Sequence, residues 1–403
     1  MKIGVIGGGA AGFFAAIQVK TNYPTHEVFI LEKSPKLLAK VKISGGGRCN
    51  VTNACTSIAD LSKAYPRGGI QLKKLFPQFH TVHIRKWFEE RGVKLYAQDD
   101  GRVFPVSDDS QTVIDCLMTE VRKLGITIKT NTPIQKIEVK ERGFELYIDE
   151  KNHLYFDRII VASGGSPKES GLQWLADLGH KIEKPVPSLF TFNMPHEKIK
   201  TLMGVAVENA LCRIQGEKLS GSGPLLITHW GMSGPAILLL SAFGARLLAH
   251  RNYQFNLLVN WANEQNQETV KQAIEKIIEE HPQKQLQNVR MYELPTRLWL
   301  FLLEKIELPT DQKWINLNKK SMHKLVEVLT NDLYAVSGKT TFKEEFVTCG
   351  GVSLGSVNMK TMESKHVPGL FFAGEVLDID ALTGGYNFQA AWTTGFIAGK
   401  LGL

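Results

Sequence analysis

The chain has 403 residues, more than one ordinary hydrophobic core accommodates, so two or three domains are expected. Hydrophobic residues make up 43% and charged residues 22% of the sequence, which is ordinary for a globular protein and argues against a disordered chain. The formal net charge of +8 fits either a solvated basic surface or attraction for anions such as nucleotide cofactors or nucleic acid.

Cysteine spacing and apolar stretches exclude several further classes. The five cysteines contain no C-x-x-C pair, which argues for a reducing cytosol and against a zinc ribbon or a thioredoxin-type centre. The longest apolar stretch, residues 225–248, is interrupted by polar residues, glycines and a proline, so no membrane span is expected. Glycines stand where a signal peptide would have its apolar core. A cytoplasmic location is therefore predicted.

A complete βαβ pattern opens the chain. Residues 2–6 (KIGVI) predict a buried parallel strand, residues 10–20 a helix, and residues 27–31 (EVFIL) a second strand. Gly7, Gly9 and Gly12 follow the first strand in the spacing G-x-G-x-x-G. Glu32 ends the second strand, 20 residues after Gly12. This is the dinucleotide-binding fingerprint in its expected context.

Each part of the fingerprint has a physical role. Gly7 permits the tight turn, Gly9 lets a pyrophosphate approach the backbone, and Gly12 lets helix and strand pack closely. The helix N-terminus offers unpaired N–H groups and partial positive charge to the phosphates. The Glu32 carboxylate can accept ribose hydroxyls, which disfavours the 2′-phosphate of NADP. Both FAD and NAD fit this unit.

A second glycine-rich stretch follows at residues 44–50, which read SGGGRCN. Three successive glycines outside a hairpin favour backbone held close to a ligand, with a flexible loop as the alternative. Arg48 and Lys40 could neutralise phosphate charge there.

The middle of the first half mixes helices with short strands. Residues 64–95 predict mixed helix, and residues 110–124 predict an amphipathic helix. Short strands that together predict a β-meander lie at residues 126–129, 133–138, 144–148 and 153–156. A buried strand at residues 157–162 ends in a small-residue turn, at the position where open α/β sheets bind ligands.

The character of the sequence changes near residue 187. Residues 188–240 show short strands and Gly-Pro turns with little helix. Amphipathic helices are predicted at residues 268–280, 294–304 and 319–329. The first pattern then resumes with a strand at 370–373 and a glycine-opened final helix. An α/β fold is therefore predicted, with a Rossmann-like domain (parallel sheet with β-meander) at 1–187 and 344–403, an inserted barrel-like β domain at 188–262 and an inserted helical domain at 263–343.

Five motifs carry a family resemblance. They are GGGAAG at 7–12, SGGGRCNVTN at 44–53, GRVFP at 101–105, THWGMSGPAIL at 228–238 and FAGEVLDIDALTGGYNFQAA at 372–391. This set resembles bacterial flavoproteins of the glutathione-reductase-like type with two dinucleotide-binding domains. It is most similar to the family of the aminoacetone oxidases and the bile-acid 3-dehydro-Δ4,6-reductase. Where that family more often reads A-T-G-G, this chain has Ala162-Ser163-Gly164-Gly165, which keeps the hydroxyl.

The resemblance implies FAD as the cofactor and hydride transfer between flavin N5 and a substrate carbon. Glu375 would then accept ribitol hydroxyls, and Ile134 would bind adenine through its backbone. The final helix would direct its positive end at the flavin N1–C2=O edge, which favours reduced flavin. The implied substrate is a small molecule, either an amine such as aminoacetone or an unsaturated ring ketone. Oxidase and reductase both stay open, with NAD(P)H as a possible transient donor.

The predicted site residues fall into two groups. The cofactor-binding residues are Gly7, Gly9, Ala10, Ala11, Gly12, Glu32, Lys33, Lys40, Ser44, Gly45, Gly46, Gly47, Arg48, Asn50, Ile134, Ala162, Ser163, Gly164, Gly374, Glu375, Gly384, Gly385, Tyr386, Asn387 and Phe388. The catalytic candidates are His229 as an acid or base, Cys49 as a redox thiol with a pKa lowered by Arg48, and Arg102 as a contact to flavin or phosphate. Each of these three has a structural role as its alternative. No metal-ligand spacing or Ser-His-Asp order is present.

Two competing functions follow from the same residues. A flavoprotein that binds or modifies RNA fits the positive charge, although the sequence lacks an RNP-type aromatic motif and a long basic stripe. A flavin-binding regulator without turnover is the other. Neither a nucleic acid nor a membrane is the expected partner, and the sequence leaves the oligomeric state open.

Overall fold

The structure is a computed structural model that describes residues 1–341 and 347–403. The chain divides into two compact units, Met1–Pro187 with Lys343–Leu403, and Ser188–Phe342. Within the described ranges, no helix is long and apolar enough to cross a membrane.

The described residues form short strands and helices throughout. The strands are β1 Lys2–Ile6, β2 Glu27–Leu31, β3 Thr52–Asn53, β4 Leu95–Ala97, β5 Arg102–Pro105, β6 Thr127–Lys129, β7 Lys136–Lys140, β8 Gly143–Tyr147, β9 His153–Phe156, β10 Arg158–Val161, β11 Ile182–Ser188, β12 Thr191–Asn193, β13 Ala206–Ile214, β14 Ser220–Ile227, β15 Gly231–Ser233, β16 Gln254–Asn260, β17 Asp332–Ser337, β18 Lys339–Thr340, β19 Val347–Val352, β20 Val357–Asn358, β21 Glu363–Ser364 and β22 Leu370–Phe372. The helices are α1 Ala10–Asn22, α2 Ala39–Ile43, α3 Ile58–Lys63, α4 Gly69–Leu75, α5 Thr81–Glu89, α6 Ser110–Lys123, α7 Gln173–Ala176, α8 Pro235–Phe243, α9 Ala245–His250, α10 Gln267–Glu280, α11 Thr296–Lys305, α12 Lys319–Thr330 and α13 Tyr386–Ala398.

The first unit is built on a sheet with the strand order β20-β21-β22-β10-β1-β2-β6. The strands β22, β10, β1, β2 and β6 run parallel, β21 is antiparallel to β22, and β20 is antiparallel to β21. Ile3 and Val5 of β1 are fully buried, as expected for a central parallel strand. The carboxyl ends of the parallel strands therefore meet at one edge, where such sheets bind ligands.

One predicted strand belongs to a different sheet. The sequence places residues 126–129 in the meander, but β6 pairs in parallel with β2 in the main sheet. Only β7, β8 and β9 form the antiparallel meander. The reason lies in the connections, because β6 follows the crossover helix α6, whereas β7, β8 and β9 are joined by short turns.

The helices α1 and α13 pack against each other and run parallel. A Cβ on Gly395 would lie 2.9 Å from the Ala11 carbonyl oxygen, and a Cβ on Gly399 would lie 2.5 Å from the Gln18 Cβ. Glycines at these positions let the two backbones approach closely. Both N-termini consequently point to the same end of the unit. The N-terminus of α13 extends roughly 9 Å beyond that of α1 at this end.

The second unit is a small barrel with helices in the same core. Five strands pair in the order β12-β15-β14-β13-β16. The consecutive strands β17 and β18 close this order into a barrel, because β17 pairs with β16 at one end and β18 pairs with β12 at the other. Val259 of the barrel shares one hydrophobic cluster with Trp299 of α11 and Leu325 of α12. The sequence predicts separate β and helical domains, at 188–262 and 263–343. The described residues instead form one unit, because the helical stretch supplies β17 and part of the core.

The motif THWGMSGPAIL also differs from its prediction as part of a region with little helix. Pro235 begins helix α8, which is separated from strand β15 only by its N-cap residue, Gly234. Proline is well tolerated at a first helical position, since its missing N–H has no intrahelical partner there.

Candidate functional site

The turn between β1 and α1 is shaped by three glycines. Gly7 has φ +119°, and a Cβ there would lie 2.2 Å from the Ala162 carbonyl oxygen. A Cβ on Gly12 would lie 1.9 Å from the Gly7 carbonyl oxygen. A Cβ on Gly9, by contrast, would meet no protein atom within 4 Å. Gly9 also provides no side-chain cap for α1, so this open space borders a helix N-terminus that can receive an anion.

Glu32 is fixed beside this turn. Its Oε2 accepts a hydrogen bond from the Gly8 N–H at 2.8 Å, and its Oε1 accepts one from the Ser34 N–H at 2.9 Å. The Glu32 carbonyl accepts from the Thr132 N–H at 2.9 Å, which brings the segment containing half-buried Ile134 towards the end of β2. The neighbouring Lys33 is exposed.

The second glycine-rich stretch forms a short 3-10 turn, Ser44–Gly47, in which Gly45 and Gly46 have left-handed backbone angles. A Cβ on Gly46 would meet nothing within 4 Å. The turn is held by β5, because the Asn50 side chain accepts from the Val103 N–H at 3.2 Å. The Arg48 guanidinium lies 4.2 Å from the centre of the Phe104 ring.

The C-terminal part of the unit meets the fingerprint here. A Cβ on Gly374 would lie 2.7 Å from the Ala11 Cβ, so the end of β22 touches the first turn of α1. The Glu375 carboxylate accepts from the Lys40 Nζ at 2.6 Å and from the Thr348 N–H at 3.0 Å. The chain positions of Lys40 and Glu375 are 335 residues apart, so the site is built from both ends of the sequence.

The N-terminus of α13 completes the group. Gly384 and Gly385 have φ +121° and +86°, and a Cβ on Gly385 would lie 2.2 Å from the Thr52 carbonyl oxygen. The Asn53 side chain donates to the Gly384 carbonyl at 3.0 Å. Asn387 accepts from the Ala381 N–H at 3.0 Å, which ties the loop to the helix. The N-cap Gly385 provides no side-chain cap, so α13 presents a second N-terminus of the same kind as α1.

Other predicted residues lie around these parts. Ala162, Ser163 and Gly164 follow β10 beside Gly7, and a Cβ on Gly164 would meet nothing within 4 Å. The ring of half-buried Phe388 stacks on that of Trp392 inside α13.

The catalytic candidates have different outcomes. His229 is exposed in the turn between β14 and β15 of the second unit, where its ring lies 4.1 Å from that of Trp230. Arg102 donates from Nε to Asp100 at 2.7 Å. Burial raises the pKa of the Cys49 thiol to about 12, so the predicted lowering by Arg48 is wrong. The Arg48 guanidinium lies over Phe104 instead, and the fully buried Cys49 behaves as a packing residue.

Sequence reasoning missed Thr348 and the pair Thr52–Asn53. The Thr348 hydroxyl is buried and has no hydrogen-bond partner among the described residues. A Cβ on Gly165 would lie 2.6 Å from that hydroxyl and 3.0 Å from the Glu375 carboxyl carbon. The Gly350-Gly351 pair just after Thr348 could have signalled this position, and Asn53 lies inside a motif that the sequence analysis used. No group of His, Cys, Asp and Glu in the described ranges could hold a metal ion.

Comparison with known proteins agrees with this architecture. The family model described as the HI0933-like protein Rossmann domain matches residues 1–401. The chain belongs to the HI0933-like family. The protein is an FAD-dependent oxidoreductase.

Two relatives align over almost the whole HI0933-like chain. A 3-dehydro-bile acid delta(4,6)-reductase from Clostridium scindens is 27% identical, with 99% of this chain and 98% of the relative covered. A ribosomal RNA dihydrouridine synthase from Escherichia coli is 28% identical, with 97% and 95% covered. The crystal structure of a 3-ketosteroid-delta4-(5alpha)-dehydrogenase from Rhodococcus jostii RHA1 has a TM-score of 0.51 at 12% identity, with 98% and 96% covered, which shows a shared fold.

The residues of the first unit fit FAD. The cofactor needs contacts for its phosphates and its ribose at one end and for its ribitol and flavin at the other. The first unit contains the N-termini of α1 and α13, which lack side-chain caps, and the oriented carboxylates of Glu32 and Glu375. It also contains open space over Gly9. The buried Thr348 hydroxyl, which lacks a partner among the described residues, lies beside one of those carboxylates.

Proposed function

We propose that this protein reduces a carbon–carbon double bond conjugated to a carbonyl group in a small cyclic substrate, an unsaturated ring ketone. The observation that carries the proposal is the pair of nearly full-length relatives with different substrates. A delta(4,6)-reductase of a 3-dehydro-bile acid and an enzyme that produces dihydrouridine share one reaction type. Both saturate a carbon–carbon double bond that is conjugated to a ring carbonyl.

The reaction balances with a hydride and a proton. The hydride adds to the β carbon, the proton adds to the α carbon, and NAD(P)H as the proposed reductant becomes NAD(P)⁺. When bound, FAD supplies the hydride-transfer chemistry at N5. The chain contributes binding, orientation and electrostatics, and His229 is the proposed acid for the proton.

We also propose how the chain holds the cofactor. The space over Gly9 and the N-terminus of α1 suits the pyrophosphate, since a Cβ there would meet no protein atom. Glu32 suits the ribose, because its carboxylate is already held by the Gly8 N–H. Glu375, held by the Thr348 N–H, suits the ribitol, and the N-terminus of α13 suits the flavin N1–C2=O edge.

The test is an anaerobic reoxidation experiment with the FAD-loaded protein. The flavin is reduced photochemically and mixed in separate samples with a 4-en-3-oxosteroid and with its saturated ketone as the matched control. In a further sample, the oxidised, FAD-loaded protein is mixed anaerobically with aminoacetone. We expect the oxidised flavin spectrum to return with the unsaturated ketone and not with the saturated one, the product to gain two hydrogen atoms, and aminoacetone to leave oxidised flavin unchanged. If the unsaturated ketone leaves the flavin reduced while aminoacetone reduces oxidised flavin, the protein is an amine oxidase and the proposal is wrong.

A second candidate is reduction of uridine in RNA. The Escherichia coli relative and the net charge of +8 favour it. The same reoxidation experiment with unmodified ribosomal RNA separates the two, together with a gel shift at physiological salt. Return of the oxidised spectrum with RNA and not with the steroid would assign the RNA reaction.

The donor is tested separately. Oxidised, FAD-loaded protein is mixed anaerobically with NADH or NADPH, and the bleaching of the flavin band is followed. Bleaching by either nucleotide supports a reductase, and no bleaching by either excludes NAD(P)H as the direct donor.

A further inference from the structure

Residues 64–68, which we call the 64–68 clamp, lie along the segment that leads into α13. The Ala64 carbonyl accepts from the Leu382 N–H at 2.9 Å. Arg67 and Asp380 form an isolated antiparallel bridge. A Cβ on Gly68 would lie 2.6 Å from the Ile379 Cγ1, so the two segments are in close contact. The clamp therefore contacts 379–382 through main chain and packing at several points.

The side chain of Arg67 strengthens this contact. Arg67 donates from Nε and from a terminal nitrogen to the two carboxylate oxygens of Asp380. The side chains are 11% and 0% exposed, so this is a buried, bidentate ion pair. Removing one partner of such a pair leaves a buried charge without compensation, so the arrangement is strongly held.

Tyr65 reaches the helix itself. Its hydroxyl donates to the carbonyl of Tyr386, the first residue of α13, at 2.7 Å. Tyr65 is almost fully buried, and its ring also contacts the Tyr386 ring edge-on, with centres 6.2 Å apart. The clamp thus fixes the position of the α13 N-terminus as well as the loop before it.

We propose that the 64–68 clamp sets the reduction potential of the bound flavin by fixing the α13 N-terminus, with Tyr65 and Arg67 as positioning residues. This inference rests on the proposed function, in which that N-terminus faces the flavin N1–C2=O edge. The field of a helix end falls off within the first turn, so a small displacement of α13 weakens it. The reduced flavin carries the additional negative charge and loses more stabilisation than the oxidised form.

A hydrogen bond near the opposite end of α13 provides a matched control for the Tyr65 variant. Tyr23 donates its hydroxyl to the Lys400 carbonyl at 2.7 Å, just beyond the other end of α13. Tyr23→Phe and Tyr65→Phe each remove one phenol-to-carbonyl hydrogen bond of equal length. The two variants differ in which end of α13 loses its anchor.

The experiment measures the flavin midpoint potential of the FAD-loaded wild type and both variants, with FAD in excess and a redox dye as reference. For Tyr65→Phe we expect the ratio of reduced to oxidised flavin at fixed potential to fall roughly 2- to 10-fold, and for Tyr23→Phe we expect no change. Arg67→Lys, which keeps the charge and loses the bidentate geometry, should shift the ratio in the same direction as Tyr65→Phe.

Two results overturn the proposal. One is a wild-type potential in both Tyr65→Phe and Arg67→Lys. The other is an equal shift in Tyr23→Phe, which would mean that general loosening of the helix causes the effect. No substrate enters this measurement, so a protein that does not reduce unsaturated ketones refutes the proposed reaction without deciding the role of the clamp.

Discussion

Replacing Gly9 with alanine should separate cofactor binding from folding. Gly9 has φ −93° and ψ −173°, which alanine adopts without strain, and a Cβ there would meet no protein atom within 4 Å. The free energy of unfolding of the cofactor-free variant should therefore fall by less than about 1 kcal/mol, the range for an N-cap substitution. The added methyl group occupies the space proposed for the pyrophosphate, so FAD affinity should fall at least about tenfold, or ~1.4 kcal/mol.

Gly12→Ala is the matched variant with the opposite expectation. Its Cβ would lie 1.9 Å from the Gly7 carbonyl oxygen, whereas ordinary contact begins at 3.4 Å. Either α1 or the β1–α1 turn must move, and such overpacking costs about 1–3 kcal/mol, partly offset by up to ~1 kcal/mol from better helix propensity. The cofactor-free protein should then lose stability, and FAD binding should weaken as a consequence.

The assay is thermal unfolding with and without FAD, combined with an FAD titration. At an FAD concentration 100 times the wild-type Kd, binding stabilises the wild type by about 2.7 kcal/mol, and a tenfold weaker variant by about 1.4 kcal/mol. Gly9→Ala should thus retain the cofactor-free Tm and lose about half of the FAD-dependent stabilisation. Wild-type FAD affinity in Gly9→Ala, or a lower Tm of its cofactor-free form than that of Gly12→Ala, would refute the reasoning.

Three further predictions concern buried polar groups. Thr348→Val removes a buried hydroxyl without a partner among the described residues. The free energy of unfolding of the cofactor-free protein should therefore rise by about 1 kcal/mol, which a higher Tm would show, and FAD titration should show weaker binding. Burial raises the pKa of Cys49 to about 12, so iodoacetamide at pH 8 should modify half-buried Cys55 and leave Cys49 unmodified in the native protein, as checked by peptide mass spectrometry. Burial lowers the pKa of His180, whose Nε2 lies 2.8 Å from the Ser364 hydroxyl oxygen. The unfolded chain binds this proton below about pH 6.5. Stability should therefore be complete above that pH and fall below it, and His180→Gln should flatten the dependence in denaturant titrations at stepped pH.

The parts of the site that depend on short stretches of sequence could be predicted. The bounds of β1 and β2 match the predicted strands because the apolar runs, the glycine spacing and the terminal acid lie within one βαβ unit. The glycine-opened α13 also follows from its own residues, since two positive φ values precede its first turn. In both places the residues that determine the backbone are neighbours in the chain.

Long-range contacts account for what the sequence analysis missed. Arg67 and Asp380 are 313 residues apart, and neither belongs to a motif that predicts the other. The error at Cys49 has a similar cause. Its neighbour Arg48 lies over Phe104, a position that depends on the pairing of β3 with β5 and not on adjacency to the thiol.

The same long-range contacts explain why the cofactor matters to the first unit as a whole. The Lys40–Glu375 ion pair is partly exposed, with 57% and 20% of the two side chains accessible, and an exposed pair contributes little stability by itself. Lys40 nevertheless follows the N-terminal fingerprint and Glu375 follows β22, so the pair joins the two regions of sequence that are proposed to hold FAD. A ligand that contacts both ends stabilises only the folded arrangement, so its binding free energy adds directly to the stability of that unit. Weakening either end should then reduce the same FAD-dependent increment of Tm, because one extended molecule is proposed to connect them.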